Sequence, residues 1–332
     1  MSTDQQWDIV TGVGITALGV AAARAVETSR PDPLAADPYA AGFVAAAQAP
    51  VSLPTTVDAA AGGSGSWAHL VDYMALRTRA FDDHFQRAID DGVTQAVILA
   101  SGLDTRAYRL GWQAGTTVYE IDQPRVLDFE LRVLREAGAE PRCALRPTAV
   151  DLRDDWATTL ESAGFETSRP TAWLAEGLLP FLPPEAEERL LREIHRLSAP
   201  GSHLAAEYFT DVRRALQDPV MQQNAAIMGV QMADLMSSGP RPDLAERLAA
   251  RGWRTRIVTA TEEAAAHARV LTSTAMFDNV RHVFARLPWP ETTGTAGRTC
   301  GEERRYRRRR PRCCGGARPM EAPTTPGGIG WM

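Results

Sequence analysis

The stretch from residue 95 to residue 124, QAVILASGLDTRAYRLGWQAGTTVYEIDQP, constrains everything around it. Gln95 to Ala100 is a short apolar run with Val97, Ile98 and Leu99 in succession, the mark of a parallel strand buried on both faces. It runs into Ser101-Gly102, a turn where glycine permits positive φ or close backbone approach. Asp104 and Thr105 then suit the start of a short helix. Thr116 to Ile121 reads as a second strand, ending in the acids Glu120 and Asp122. Strand, glycine turn, short helix and strand with a terminal acid make the opening half of a nucleotide-binding α/β sheet.

A carboxylate at a strand's carboxyl end can accept hydrogen bonds from both hydroxyls of a ribose. A dinucleotide fold would want G-x-G-x-x-G, whose backbone N–H groups wrap a pyrophosphate. Here the run is Ala100-Ser101-Gly102-Leu103-Asp104, with one glycine and an added negative charge. Asp104 would repel a pyrophosphate and suit a ligand carrying an ammonium or sulfonium group. The residues therefore point away from NAD and toward S-adenosylmethionine. A structural βαβ crossover with a helix-capping Asp is the plainer alternative and stays open.

VILASGLDTRAYRL followed by VYEIDQP closely resembles the leucine carboxyl methyltransferase family, and within it a branch of S-adenosylmethionine-dependent methyltransferases from mycobacteria and other actinobacteria. The likeness runs from about Trp7 to Leu287; glycine is the commoner family residue where Ala100 stands. The resemblance implies a class I methyltransferase-like (Rossmann-like) α/β fold. Its sheet would be mainly parallel, with helical additions at the N-terminus and after the fifth strand. The implied reaction is methyl transfer from S-adenosylmethionine to an oxygen, a small-molecule or peptide carboxylate being the acceptor of the family's eukaryotic members. A non-catalytic cofactor-binding protein and a dinucleotide-dependent oxidoreductase are the alternatives.

With Gly102 and Asp122 on the strands already described, the resemblance extends the cofactor site to four more residues. An arginine of LRTRAFDD, Arg79, would pair with the methionine carboxylate, since a guanidinium fork fits a carboxylate. On the residues alone, Arg77 and Arg79 could instead pair with Asp82 and Asp83 on an exposed helix face. Asp151, at the end of a third strand over 146–150, would accept from the adenine amino group, and the Leu152 N–H would donate to a ring nitrogen. Glu176 lies in the fourth strand's exit, TAWLAEGLLPFL, where the family's glutamate contacts the cofactor; a strand-end acid capping a local turn is the alternative. No residue stands out as a catalytic base, and no metal spacing is present.

Composition sets the remaining bounds. The 332 residues carry a net charge of −5 and 44% hydrophobic residues, ordinary for a soluble enzyme and giving no general reason to expect nucleic acid. All 36 basic residues are arginine, which reads as GC-rich coding. Cys143, Cys300, Cys313 and Cys314 form no C-x-x-C pair, so a reducing cytoplasm is the simplest setting. Ile9 to Val26 is apolar, but acids precede it and glycines and threonines interrupt it. It reads as a packed helix and not as a leader or span, and the resemblance makes it a lid.

The chain then divides into an N-terminal helical lid and Gly-rich flap (1–66), a methyltransferase domain (67–290) and a tail (291–332). The domain contains a Met-rich helical insertion at about 211–250. His69 and His84 are expected to pack, and His195 to serve as a helix-end cation. The tail holds nine Arg against four Glu without apolar periodicity, and is expected to be disordered and to come from a shifted reading frame.

Overall fold

The computed structural model describes residues 9–10, 12–61, 65–272 and 274–290. Seven strands form one sheet: β1 (Gln95–Leu99), β2 (Thr117–Asp122), β3 (Ala144–Ala149), β4 (Ala172–Ala175), β5 (His203–Phe209), β6 (Arg254–Thr259) and β7 (Val280–Arg286). Their order is β3-β2-β1-β4-β5-β7-β6. Pairings from β3 through β5 are parallel, whereas β7 lies antiparallel to both β5 and β6. β1 and β4 are hydrogen-bonded neighbours, so the chain builds outward from β1 in one direction and resumes from β4 in the other. The carboxyl ends of these two strands flank a topological switch point, where ligands of open α/β sheets bind.

Burial follows strand position. All five residues of β1, all four of β4 and all seven of β5 are buried. The edge strands β3 and β6 are largely exposed, and β3 tolerates Pro147 because an edge strand can lack a donor.

Four helices precede the sheet: α1 (Val13–Thr28), α2 (Ala40–Ala47), α3 (Val57–Ala61) and α4 (Gly65–Asp90). The parallel crossovers carry α5 (Arg106–Arg109), α6 (Pro124–Glu136), α7 (Trp156–Ser162) and α8 (Pro184–Arg196). Between β5 and β6 run α9 (Val212–Leu216), α10 (Pro219–Ile227), α11 (Met232–Leu235) and α12 (Leu244–Ala249). Between β6 and β7 run α13 (Ala260–Ala266) and α14 (Ala275–Asn279). α4 lays Phe81, Phe85 and Ala88 on the sheet against Ile98, Val118 and Leu174. α1 buries Ile15, Leu18, Ala22 and Val26 in a second cluster with Tyr73, Leu103 and Phe129. No described helix is long and apolar enough to cross a membrane.

The sequence expectations differ from this fold at particular places. The insertion at about 211–250 is four short helices, α9 to α12, and its methionines divide between α10 and α11 where the chain turns at Gly229 with φ +69°. The flap contains α3, and α4 begins inside it at Gly65. His195 is not a cation: Trp253 Nε1 donates to its Nδ1 at 3.2 Å, and burial with nearby Arg251 lowers its pKa. The tail, with Cys300, Cys313 and Cys314, lies outside the described residues.

Candidate functional site

The carboxyl ends of β1 to β4 expose a row of half-buried residues above a closed interior: Gly102, Asp122, Asp151, Leu152, Glu176 and Gly177. The turn after β1 is left-handed at two positions, Ala100 at φ +51° and Gly102 at φ +64°. That curl aims the Gly102 N–H at Asp122 Oδ2, 2.7 Å away, and the Gln123 N–H reaches Oδ1 at the same distance. Each oxygen keeps a lone pair, so the carboxylate is fixed in direction yet still able to accept. Burial raises its pKa to about 6 despite those two bonds. Ser101 Oγ, shielded from solvent, has no hydrogen-bond partner among the described residues. α1 packs over the turn: a Cβ at Gly102 would stand 3.6 Å from the Ala17 methyl. Arg24 of α1 pairs with Asp37 at 2.9 Å and donates to the Leu103 carbonyl.

Asp151 follows β3, its carboxylate bonded by the Arg153 guanidinium and backbone and by Gln123 Nε2 at 3.2 Å. Burial would raise its pKa, but the Arg153 hydrogen bonds bring it below the ordinary value. Leu152 packs partly buried against the cluster around Trp156 and Trp173.

Glu176 follows β4 and lies between two guanidiniums, Arg77 Nε and Arg106 Nη2, each at 2.8 Å. Burial opposes its ionisation, but Arg106, Arg77 and Arg24 hold its pKa down to about 2. Arg77 also donates to Glu207 Oε2 at 3.0 Å, and the Gly177 N–H donates to that oxygen at 2.9 Å. Tyr73 donates its phenol to Glu207 Oε1. Arg106 is bonded as well to Asp104 and Asp82, and Asp82 also pairs with Arg109. A network of three arginines and four carboxylates therefore ties α4, α5, β5 and the turn after β4 together.

Two sequence expectations change here. Arg79 is not brought to this site: its side chain is 44% exposed and pairs with Asp83 one turn on, whereas that of Arg77 is 8% exposed and meets Glu176. Two residues on a helix lie about 200° apart, so only one can face the sheet. Asp104 is not a free negative charge. It receives the Arg106 backbone N–H at 2.7 Å and ion-pairs with the same residue's side chain. The single glycine remains the local argument against a pyrophosphate cradle.

Glu120, the other acid of β2, is fully buried, as is Glu130 of α6, and neither carboxyl has a hydrogen-bond partner among the described residues. Burial pushes both well above the ordinary range, with Asp104 adding to Glu120, and Glu120 adding to Glu130. In both, burial favours the neutral form, and Asp122 is the acid of this strand that meets the cleft. Sequence reasoning passed over Arg106 and Glu207, read Ser101 only as part of the turn, and weighed Arg77 beside Arg79 only as a surface ion pair. Arg106 was visible only as an arginine on a short helix, and Glu207 only as a polar residue in an apolar strand.

This donor set fits an adenosyl ligand with an amino-acid tail: acceptors at Asp122 and Asp151, an unpartnered hydroxyl at Ser101, and opposite charges at Glu176 and Arg77. The leucine carboxyl methyltransferase model matches residues 17–195. A protein of Saccharopolyspora erythraea, named for S-adenosyl-L-methionine-dependent methyl transfer, is 51% identical over 254 residues, covering 76% of this chain and 88% of its own. One of the same name from Mycobacterium avium is 45% identical over 273 residues, covering 76% and 87%. Among solved structures, a methyltransferase from Thermobifida fusca aligns over 81% of this chain and 94% of its own at 17% identity, with a TM-score of 0.49. The chain belongs to the leucine carboxyl methyltransferase family and is an S-adenosyl-L-methionine-dependent methyltransferase.

Proposed function

We propose that this methyltransferase acts on oxygen, and that its acceptor is the carboxylate of a small molecule or peptide. The carrying observation is that the ionisable groups around the β4 and β5 ends are already committed. Glu207 is held by Tyr73, Arg77 and Gly177, and Glu176 by Arg77 and Arg106. Burial, then Glu207, raises the Tyr73 phenol, and burial with Arg77 lowers the nearby His282 to about 3. Neither Glu176 nor His282 is ready to take a proton near pH 7, Glu207 is occupied by its three donors, and a carboxylate acceptor has no proton to give.

In this reading Asp122 accepts from the ribose hydroxyls, Asp151 from the adenine amino group, and the Leu152 N–H donates to the ring. Arg77, in place of Arg79, meets the methionine carboxylate, and Glu176 its amino group. When bound, the cofactor supplies a methyl on a positively charged sulfur, which departs as a neutral thioether as the acceptor oxygen takes the carbon. The protein's own work is to orient and to exclude water, and in this reading α1, which packs over Gly102, does both as a lid. A hollow of about 350 Å³ beyond the carboxyl end of β5 is lined by Thr210, Asp211, Arg213 and Arg241; Arg241 is held by Glu187 and three carbonyls, which leaves Arg213 to meet an anionic acceptor.

Incubation with methyl-labelled cofactor over a panel of carboxylic acids and phenols tests the proposal. Mild alkali releases methanol from a methyl ester and leaves an ether intact, so base-stable label alone would overturn the carboxylate assignment. Calorimetry with S-adenosylmethionine and S-adenosylhomocysteine would check the cofactor contacts independently.

A further inference from the structure

The amino edge of the sheet, opposite the cofactor turn, holds a second concentration of charge. β6 and β7 pair so that Arg254 stands directly across from Arg286, and Arg256 across from Phe284. Like charges directly opposite in a strand pair repel. The Phe284 ring carries two more guanidiniums, Arg256 at 4.6 Å and Arg87 from α4 at 5.3 Å. These four arginines, with His84 and His203, line a hollow of about 290 Å³.

Asp91 is 3.2 Å from both Arg286 and His203. Glu263, which acts on Arg87 and Arg256, is buried, and its pKa is raised by that burial. Asp83 pairs with Arg79. Among the described residues, neither Arg254 nor Arg256 has a carboxylate within 4 Å. The repulsion is felt in the ionisation of the group: burial lowers the Arg87 pKa with Arg256 assisting, and lowers that of His203 with Arg286 and Arg87 assisting. Asp83 and Glu262 act on Arg87 and Arg256 from farther away, so of the four guanidiniums around this open concavity Arg286 alone is ion-paired among the described residues.

We infer that this hollow is a binding site for a phosphate dianion, free or as a phosphate monoester, separate from the methyl-transfer site. Three guanidiniums without an ion pair can share a dianion, and guanidinium forks match phosphate oxygens in geometry. Convergence separates these residues from a solvated arginine face. They come from three elements, and two of them lie over the one Phe284 ring, with their charges held close at some expense in repulsion.

The test is calorimetry and thermal denaturation of the full chain with inorganic phosphate, glycerol phosphate and chloride at matched ionic strength. Saturable binding of both phosphates, with a rise in Tm that chloride does not reproduce, is expected. Arg254→Gln combined with Arg256→Gln should weaken binding at least about tenfold, the size of a lost charge-assisted hydrogen bond, and leave cofactor affinity unchanged. The variant retains the arginine-rich C-terminal segment, so the difference belongs to the hollow. Phosphate line broadening by ³¹P NMR provides a second measurement should the variant unfold. A response equal to that of chloride, or equal in wild type and variant, would overturn the site. Were the variant instead to self-associate with no change in phosphate binding, the arginines would be guards of the edge strand β6.

Discussion

Asp122 shows how one residue's surroundings set its chemistry. With its pKa raised to about 6, it binds protons more tightly folded than unfolded. Its ionised form is therefore disfavoured by folding, and stability falls as pH rises between the unfolded value of 3.8 and about 6. A ribose contact needs the ionised form, so cofactor affinity should drop as pH falls through about 6 and be flat above 7; calorimetry at pH 5 and 7.5 would show it. Asp122→Ala removes two charge-assisted hydrogen bonds, and the expected loss is about 2–4 kcal/mol, or roughly 30- to 1000-fold in affinity. Unchanged affinity with a lowered Tm would make Asp122 only a brace for the Gly102 turn. The arginines separate in the same way. Arg79→Gln should change stability by less than about 0.5 kcal/mol, whereas Arg77→Met leaves Glu176 with Arg106 and Glu207 with no cationic partner and should cost about 3 kcal/mol in urea denaturation.

At the scale of elements, the turn after β1 and helix α1 act as one unit. Ala100 holds a left-handed conformation that costs a residue with a Cβ roughly 1–2 kcal/mol. Glycine there relieves that strain and gives back part in unfolded-chain entropy. Ala100→Gly should therefore stabilise the protein by about 0.5–1 kcal/mol, read from the denaturation midpoint. Gly102→Val meets both a left-handed φ and the Ala17 methyl of α1, so its first effect should be on the seating of that helix. Loss of cofactor binding together with faster proteolysis around residue 28 is the expected pair of results. Binding loss without any change at α1 would instead place the valine in the cofactor's own space.

For the whole molecule, the buried acids Glu120 and Glu130 set a pH trend. Asp104, Arg106, Arg24 and Asp122 act on them from α5, α1 and the β2 end, yet desolvation prevails and raises both pKa values. Groups raised in this direction stabilise the fold less as pH climbs above the ordinary carboxylate range. Glu120→Gln should accordingly gain stability relative to wild type between pH 5 and pH 8, and a constant difference across that range would show that the pair is ionised in the fold. The sequence by itself determined the strands, the glycine turn and the acid at the end of β2. All of these follow from local patterns of apolar residues, glycine and proline that span no more than one crossover. It also carried the family likeness. Only the tertiary structure decided that β7 runs antiparallel between β5 and β6, that Arg77 and not Arg79 faces Glu176, and that Arg106 reaches Asp82 and Glu176. The physical reason is common to the three: a helix's phase, a strand's neighbour and a charge's partner depend on which surfaces meet, and those surfaces lie far apart along the chain.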